Sequence, residues 1–166
     1  MSISESYGIR VSSGLAEVNG MHVAHNLDKN LVLAPADVRG LAFCLQGKGK
    51  TNQTTLVLKD DSISDFLSVI GPSGRGPYEL RTSPETRPFG IGSMIYHDFS
   101  MKALGDGTGG QTLKIADEDI NDGHWIAWKD PEGNGEWSVY WVTPLPYNME
   151  DLPGGVPIEL ILDNKA

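Results

Sequence analysis

Oxygen-bearing side chains are concentrated in residues 117–122, which read DEDIND (the acidic loop). Asp117, Asp119 and Asn121 are spaced by two, so on an extended segment their side chains point to the same side. Asp122 follows immediately. Carboxylate and amide oxygens suit a hard cation, and Ca²⁺ takes about six to eight oxygen ligands. The spacing therefore predicts a calcium site with these four residues as ligands, and the alternative is a solvated turn between two strands.

The acidic loop does not follow the EF-hand pattern. With Asp117 at position one, Asp122 stands where that loop needs glycine, and Trp128 stands where it needs a bidentate glutamate. The run Asp117-x-Asp119-x-Asn121-Asp122, followed by apolar alternation that ends in tryptophan, resembles the calcium loop of the small bacterial fucose- and mannose-binding lectins. In those lectins the loop lies near the C-terminus, whereas about forty residues follow it here. The resemblance implies a β-sandwich in which the bound calcium contacts sugar hydroxyls.

All four tryptophans lie in the stretch HWIAWKDPEGNGEWSVYWV, over residues 124–142. Two alternating segments joined by the turn sequence DPEGNG predict a β-hairpin. Alternation places Trp125 and Trp128 on opposite faces of the first strand, so we expect at least one indole at the surface. We predict Trp128 and Tyr140 as ligand-binding residues that stack on a sugar or another flat ligand. The alternative is that such aromatic pairs only pack within the sheet.

The tip of this hairpin carries a second group of acidic residues, namely Asp130, Glu132 and Glu136. Six strand residues separate this group from the acidic loop, and they span about 20 Å. The two groups therefore cannot share one ion, and the second is expected to be a charged hairpin tip.

The competing class of function is a small β-barrel or sandwich enzyme, such as a cyclase, isomerase or lyase, acting on a small organic acid. Its general base would be His97 or His124, and its carboxylate clamp would be an arginine of residues 75–87, with Arg81 as the candidate. Four prolines and four glycines predict that residues 72–93 form a long loop. Neither a phosphate-binding loop nor a GxSxG nucleophile motif is present.

Glycine and proline punctuate short apolar segments along the whole chain, which predicts many strands joined by turns. Asn19-Gly20 predicts a hairpin turn within residues 15–25. The stretch 62–71 is the one helix candidate, with Ser62 as its cap. We therefore predict a single mainly β domain over residues 1–166, built as a two-sheet antiparallel jelly-roll-like sandwich or a flattened barrel with at most one short helix.

The net charge, the apolar runs and the cysteine count limit which classes of partner we expect for this chain. A net charge of −9 repels phosphate groups, which argues against nucleic acid, and no apolar run approaches the about 20 residues of a membrane span. The first residues lack a basic and apolar leader, so we expect a cytoplasmic protein by default. The single cysteine, Cys44, excludes an intrachain disulfide. The favoured function is a non-enzymatic, calcium-dependent module that binds a small molecule or glycan. No feature of the sequence indicates an oligomeric state.

Overall fold

The computed structural model describes residues 5–47, 54–59, 65–72, 77–84, 93–144 and 152–165, and every regular element in these ranges is a β-strand. The described strands are β1 Tyr7–Ser12, β2 His22–His25, β3 Leu31–Ala34, β4 Phe43–Gly47, β5 Thr54–Leu58, β6 Phe66–Pro72, β7 Tyr78–Ser83, β8 Ser93–Tyr96, β9 Phe99–Ala103, β10 Gln111–Ile115, β11 His124–Lys129, β12 Trp137–Val142 and β13 Val156–Asn164. The predicted mainly β class is confirmed. None of the described residues belongs to a helix that could cross a membrane.

The strands form one antiparallel sheet that closes on itself. The order around the ring is β11-β13-β10-β9-β5-β4-β1-β2-β3-β12, and a pairing between β12 and β11 joins its two ends. β7, β6 and β8 continue outward from β12, and β6 also pairs with β5. The described strands therefore make a closed ten-strand antiparallel barrel with three additional strands, and closure removes the open edges that a flat sheet would leave in the ring.

Strand β13 connects several parts of this ring. It pairs with β11 from Val156 to Ile158 and with β10 from Leu160 to Leu162. It also pairs with β1 over six residue pairs, from Glu159 opposite Ser12 to Asn164 opposite Tyr7. β10 and β11 thus pair with different parts of β13, and Glu159 lies between these two pairings.

The predicted helix at residues 62–71 is wrong in its described part, because Phe66–Pro72 is strand β6. Residues 62–64 lie outside the described residues. Leu67 and Val69 point into the core, and β6 pairs with both β7 and β8. A helix of about two turns is marginal on its own, so pairing with two neighbouring strands decides the conformation.

Two further local predictions need correction. Asn19-Gly20 does form a turn, with Gly20 at φ +85°, but the strand that precedes it is β1 and not residues 15–18, which are turns. The predicted long loop at 72–93 contains strand β7, which carries Arg81. In both places the partner strand is distant in sequence, and local patterns do not reveal it.

The main core fills the inside of the barrel, and alternation along the β11–β12 hairpin supplies much of it. Trp125, Trp137 and Trp141 point inward and are buried in this core. Trp128 and Tyr140 point to the opposite face, where they are half-buried against a smaller apolar cluster. The hairpin therefore has one aromatic face inside the molecule and one outside.

Candidate functional site

The acidic loop connects β10 to β11 and folds into two consecutive turns. The backbone N–H of Ile120 donates to the carbonyl of Asp117 at 3.2 Å, and that of Gly123 donates to the carbonyl of Ile120 at 3.2 Å. A carboxylate oxygen of Asp117 accepts the backbone N–H of Asp119 at 2.9 Å. The segment is therefore not extended, so residue spacing alone does not align the side chains of Asp117, Asp119 and Asn121.

A buried side chain in the middle of the acidic loop fastens it to the core. Ile120 is 4 % exposed, and its carbonyl accepts the indole N–H of Trp141 at 2.7 Å. Gly123 lies so close to Trp141 that an added Cβ would stand 2.6 Å from the indole nitrogen. The loop is thus held by Trp141, a contact that the sequence analysis did not predict.

The turns leave most of the predicted calcium ligands facing solvent. Asp119, Asn121 and Asp122 are exposed, and Asp117 is half-buried. Among the described residues, no three side chains of His, Cys, Asp or Glu lie close enough together to hold a metal ion. Backbone carbonyls and Asn121 could add ligands, so calcium binding here stays a prediction.

Two tyrosines of the main core lie near the negative charge of the acidic loop. The hydroxyls of Tyr78 and Tyr96 share a hydrogen bond, and the two rings meet edge to face at 5.5 Å. Burial raises the pKa of Tyr78 to about 12, and the nearby Tyr96, Asp119 and Asp117 add to the effect. Burial, then Asp117 and Asp119, also raise the pKa of Tyr96. Both hydroxyls are therefore neutral at physiological pH.

A groove of about 640 Å³ lies on the outer face of β3, β7, β11 and β12, beside the tip of the β11–β12 hairpin (the Trp128 groove). It contains both predicted ligand-binding residues, Trp128 and Tyr140, whose rings meet edge to face at 5.9 Å. The indole N–H of Trp128 donates to the carbonyl of Pro153 at 3.0 Å, and both rings pack against a small cluster that includes Leu152. The aromatic surface of the groove is therefore fixed in place.

Several polar side chains of the Trp128 groove are held by hydrogen bonds. Arg81 donates to Glu79 at 3.2 Å. Asn26 and Asn134 each donate to a different carboxylate oxygen of Glu136, both at 2.9 Å. A carboxylate with two fixed amide donors has little freedom to rotate, so this wall of the groove is organised before any ligand arrives.

The Trp128 groove is acidic and its tyrosine is protonated. Glu79, Asp130, Glu132 and Glu136 line it, against the single described cation Arg81. Burial raises the pKa of Tyr140 to about 12, and the charge of Glu79 adds to this while Arg81 opposes it. The Tyr140 hydroxyl is therefore a hydrogen-bond donor over the whole physiological range.

Two of the residues proposed for an enzyme, His124 and Arg81, line different cavities. His124 is exposed and lines a second cavity of about 440 Å³ beside Trp125 (the Trp125 cleft), whereas Arg81 lines the Trp128 groove. His97 lies between β8 and β9, with its ring 6.3 Å from that of Phe66. In their described lining, neither cavity contains both a histidine and an arginine. No pairing of a general base with a carboxylate clamp is formed in these cavities.

Several residues of the Trp128 groove were not predicted as site residues. Asn26 follows β2 and Glu79 lies on β7, and both reach the groove because β3 and β7 flank β12 in the sheet. The sequence predicts a charged turn at the hairpin tip, and the structure places Glu136 of that turn in the wall of the groove. These residues meet because of the order of the strands in the sheet, which local sequence patterns do not predict.

Comparison with known proteins finds no family model, no curated protein and no solved structure that matches this chain. The proposals below therefore rest on the chemistry of the described residues.

Proposed function

We propose that the protein is a non-enzymatic carbohydrate-binding module and that the Trp128 groove holds a neutral sugar. The observation that carries this proposal is the fixed aromatic pair, Trp128 and Tyr140, inside a groove whose other lining residues are mostly hydrogen-bonding side chains. A sugar ring has apolar C–H faces and a rim of hydroxyl groups. A site for it needs an apolar surface beside precisely placed polar groups, and the groove offers both.

The polar groups match the two hydrogen-bonding roles of a hydroxyl. The carboxylates of Glu79 and Glu136 accept hydrogen bonds from sugar hydroxyls, and Arg81 donates to sugar oxygens. The neutral hydroxyl of Tyr140, whose pKa burial raises further to about 12, is a further donor. The existing bonds of Asn26 and Asn134 to Glu136 orient that carboxylate in advance, which lowers the entropy cost of binding.

Charge selects among sugars. Four carboxylates against one arginine give the groove a negative potential, in keeping with the overall net charge of −9. Such a potential disfavours sulfated, phosphorylated and uronic-acid sugars. The proposed ligand class is therefore the neutral oligosaccharides.

Calcium binding by the acidic loop is kept as a separate proposal. The loop precedes β11, whereas Trp128 and the hairpin tip lie at the other end of that strand. Six strand residues span about 20 Å, so an ion in the loop would not touch a sugar in the groove. Sugar binding in the groove accordingly needs no calcium.

We also propose that the scaffold is the flattened form of the barrel. Support comes from the six residue pairs between β1 and β13, two strands that are not neighbours in the ten-strand ring. A direct ladder between them brings two parts of the ring together, so its cross-section is narrow there. The groove then lies on a wall that packs against a continuous core.

The test is a glycan array with neutral and acidic oligosaccharides, followed by isothermal titration of the best neutral ligand in buffer with EDTA. We expect saturable binding that Trp128→Ala weakens at least about tenfold, since buried aromatic anchors dominate recognition sites. Glu136→Gln, which preserves shape and removes the charge, should weaken binding less. Val38→Ala, a change at an exposed apolar residue away from the groove, should leave it unchanged.

Two outcomes would contradict the proposal. One is an array without neutral ligands. The other is a ligand that Trp128→Ala binds as tightly as the wild type does, which would place the sugar elsewhere on the molecule. Circular dichroism of each variant separates lost binding from lost folding.

A further inference from the structure

Strands β5 and β6 pair only briefly before they separate, and the corner between β8 and β9 lies at the point of separation. β5 pairs with β6 through Val57 and Phe66, and with β9 through Thr54 and Phe99. β6 continues by pairing with β8, beginning at Val69. The β8–β9 corner therefore lies between the two separating strands, in a region that we call the fork. The fork comprises residues 55–56, 67–68 and 97–98.

The registers of these strands bring three polar side chains of the fork to one face. Continuing the β5–β9 register by one residue places Thr55 opposite Asp98. Continuing the β5–β6 register by two residues places Ser68 opposite Thr55. Residues that lie opposite each other on antiparallel strands project to the same face of the sheet. Thr55, Ser68 and Asp98 therefore face one another across the fork.

A ring contact supports this placement of the β8–β9 corner. The ring of His97, which precedes Asp98, lies 6.3 Å from the ring of Phe66. Phe66 is two residues before Ser68 on β6, so the two side chains share a face. Leu67 between them points the other way, into the main core. The corner thus lies on the side of β6 that carries Ser68.

Each of the three polar side chains has a buried oxygen without a hydrogen-bond partner among the described residues. These atoms are Oγ1 of Thr55, Oγ of Ser68 and Oδ1 of Asp98. Thr55 and Ser68 are both 0 % exposed, and Asp98 is half-buried. Four described residues have such an atom, and three of them meet in the fork, whereas the fourth is His22 on β2. This concentration points to one ligand that serves all three oxygens, because buried polar groups in native proteins are nearly always hydrogen-bonded.

We propose that the fork binds one internal water molecule, which forms hydrogen bonds with Thr55, Ser68 and Asp98. The water donates to Oδ1 of Asp98 and to one hydroxyl oxygen, and it accepts a hydrogen bond from the other hydroxyl. A buried water makes about three hydrogen bonds, which is the number that these side chains offer.

The number and the kind of groups in the fork favour water over a metal ion. Ca²⁺ takes about six to eight oxygen ligands and Mg²⁺ takes about six, whereas the fork offers three side-chain oxygens, of which only that of Asp98 is charged. The hydroxyl protons of Thr55 and Ser68 also need acceptors. A water molecule can accept a hydrogen bond and a metal ion cannot.

The proposed water links three segments that are distant in sequence. It would hold β5, β6 and the β8–β9 corner together where β6, one of the three additional strands, meets the ring. None of the three fork residues lines the Trp128 groove. The proposal therefore does not depend on whether that groove binds sugar.

The first test counts long-lived water molecules by oxygen-17 magnetic relaxation dispersion on the whole protein. The wild type is compared with the double variant Thr55→Val/Ser68→Ala, which removes both hydroxyls with little change in side-chain size. We expect the dispersion amplitude to fall by the contribution of one water molecule. The method detects oxygen nuclei, so exchange of hydroxyl protons does not contribute.

Thr54→Val is the matched control for this measurement. It is the same substitution at the adjacent residue of β5, where alternation directs the side chain to the opposite face. The dispersion amplitude of this variant should equal that of the wild type.

The second test is the sign of the stability change in Thr55→Val. A bound water loses one of its hydrogen bonds in this variant, so Tm should fall by about 2–6 °C. A hydroxyl without any partner gives the opposite sign, because its removal relieves the cost of burying an unsatisfied polar group and Tm rises.

The proposal is overturned if the double variant keeps the dispersion amplitude of the wild type, or if Thr55→Val raises Tm. A cation in the fork would also overturn it. That result would appear as a Tm that rises in NaCl or KCl, relative to choline chloride at the same ionic strength, in the wild type but not in Asp98→Asn. Should the double variant fail to fold, as judged by circular dichroism, the sign of the Tm change in Thr55→Val decides the question.

Discussion

The two faces of the β11–β12 hairpin carry the same kinds of residue and have different roles. On the inner face Trp125 and Trp141 are at most 3 % exposed and belong to the main core. On the outer face Trp128 and Tyr140 are half-buried against a small cluster and line a groove. Each face holds one edge-to-face aromatic pair.

This difference shows that strand parity, rather than residue type, assigns the role of each aromatic side chain. Tyr140 and Trp141 are adjacent in sequence, yet their side chains point to opposite faces because alternation has a period of two. The indole of Trp141 holds the acidic loop through its hydrogen bond to Ile120, whereas the ring of Tyr140 borders the open groove. Stability and recognition can therefore be changed separately in one hairpin.

The largest expected effect is a difference in unfolding free energy between substitutions on the inner and outer faces of the β11–β12 hairpin. Trp141→Ala removes a fully buried indole together with its hydrogen bond to Ile120, so the free energy of unfolding should fall by about 3–5 kcal/mol. Trp128→Ala removes a half-buried ring and should cost about 1 kcal/mol. Urea denaturation of both variants measures the two losses. Equal losses would mean that the outer ring is as much a part of the core as the inner one.

A smaller loss of unfolding free energy is expected when the contact between the acidic loop and Trp141 on the inner face is disturbed. In Gly123→Ala the new methyl group would stand 2.6 Å from the indole nitrogen of Trp141 and 2.7 Å from the carbonyl oxygen of Val142. The loop must shift, and the free energy of unfolding should fall by about 1–3 kcal/mol.

Gly14→Ala is the matched control for that substitution, because its methyl group meets no atom within 4 Å and its φ is not positive. It should change the unfolding free energy by less than about 0.5 kcal/mol. If Gly123→Ala is equally neutral, the loop does not depend on close packing against Trp141.

The smallest expected effect is that of calcium removal on sugar binding, because the acidic loop and the Trp128 groove lie at opposite ends of β11. EDTA should leave sugar binding in the Trp128 groove unchanged, because the acidic loop lies at the other end of the strand. Thermal unfolding with Ca²⁺ tests the loop itself: an ion at about a hundredfold excess over its Kd adds about 2.7 kcal/mol, a rise of several degrees in Tm. A rise that vanishes in Asp119→Ala would support the predicted calcium site, and no rise in either protein would leave two solvated turns.

Local patterns predict the second half of this fold well. Alternation and turn residues place strands at 110–116, 124–129, 136–142 and 157–163, close to β10, β11, β12 and β13. They succeed because each of these strands has a clear period of two and is bounded by glycine, proline or acidic turns. Residues 66–71 fail because the strand has no clear alternation and its conformation depends on β7 and β8.

The site is predicted only where a single hairpin supplies it. Alternation alone places Trp128 and Tyr140 on one face, opposite Trp125 and Trp141, and the structure puts the first two in the same groove. Arg81 and Asn26 join them through the order of distant strands, which no local pattern encodes. In the acidic loop, the spacing predicts that Asp117, Asp119 and Asn121 point to one side of an extended segment. The segment instead forms two consecutive turns, so the spacing does not align these side chains.

The ladder between β1 and β13 also sets the order of events in folding. Tyr7 pairs with Asn164, so strands from opposite ends of the chain form one of the longest pairings in the sheet. During synthesis β1 can pair with β2 early, but Ile9 and Val11 lack their partners Leu162 and Leu160 until β13 has left the ribosome. Pairings of such high sequence separation make folding slow, and the β1–β13 ladder can form only after β13 has been synthesised.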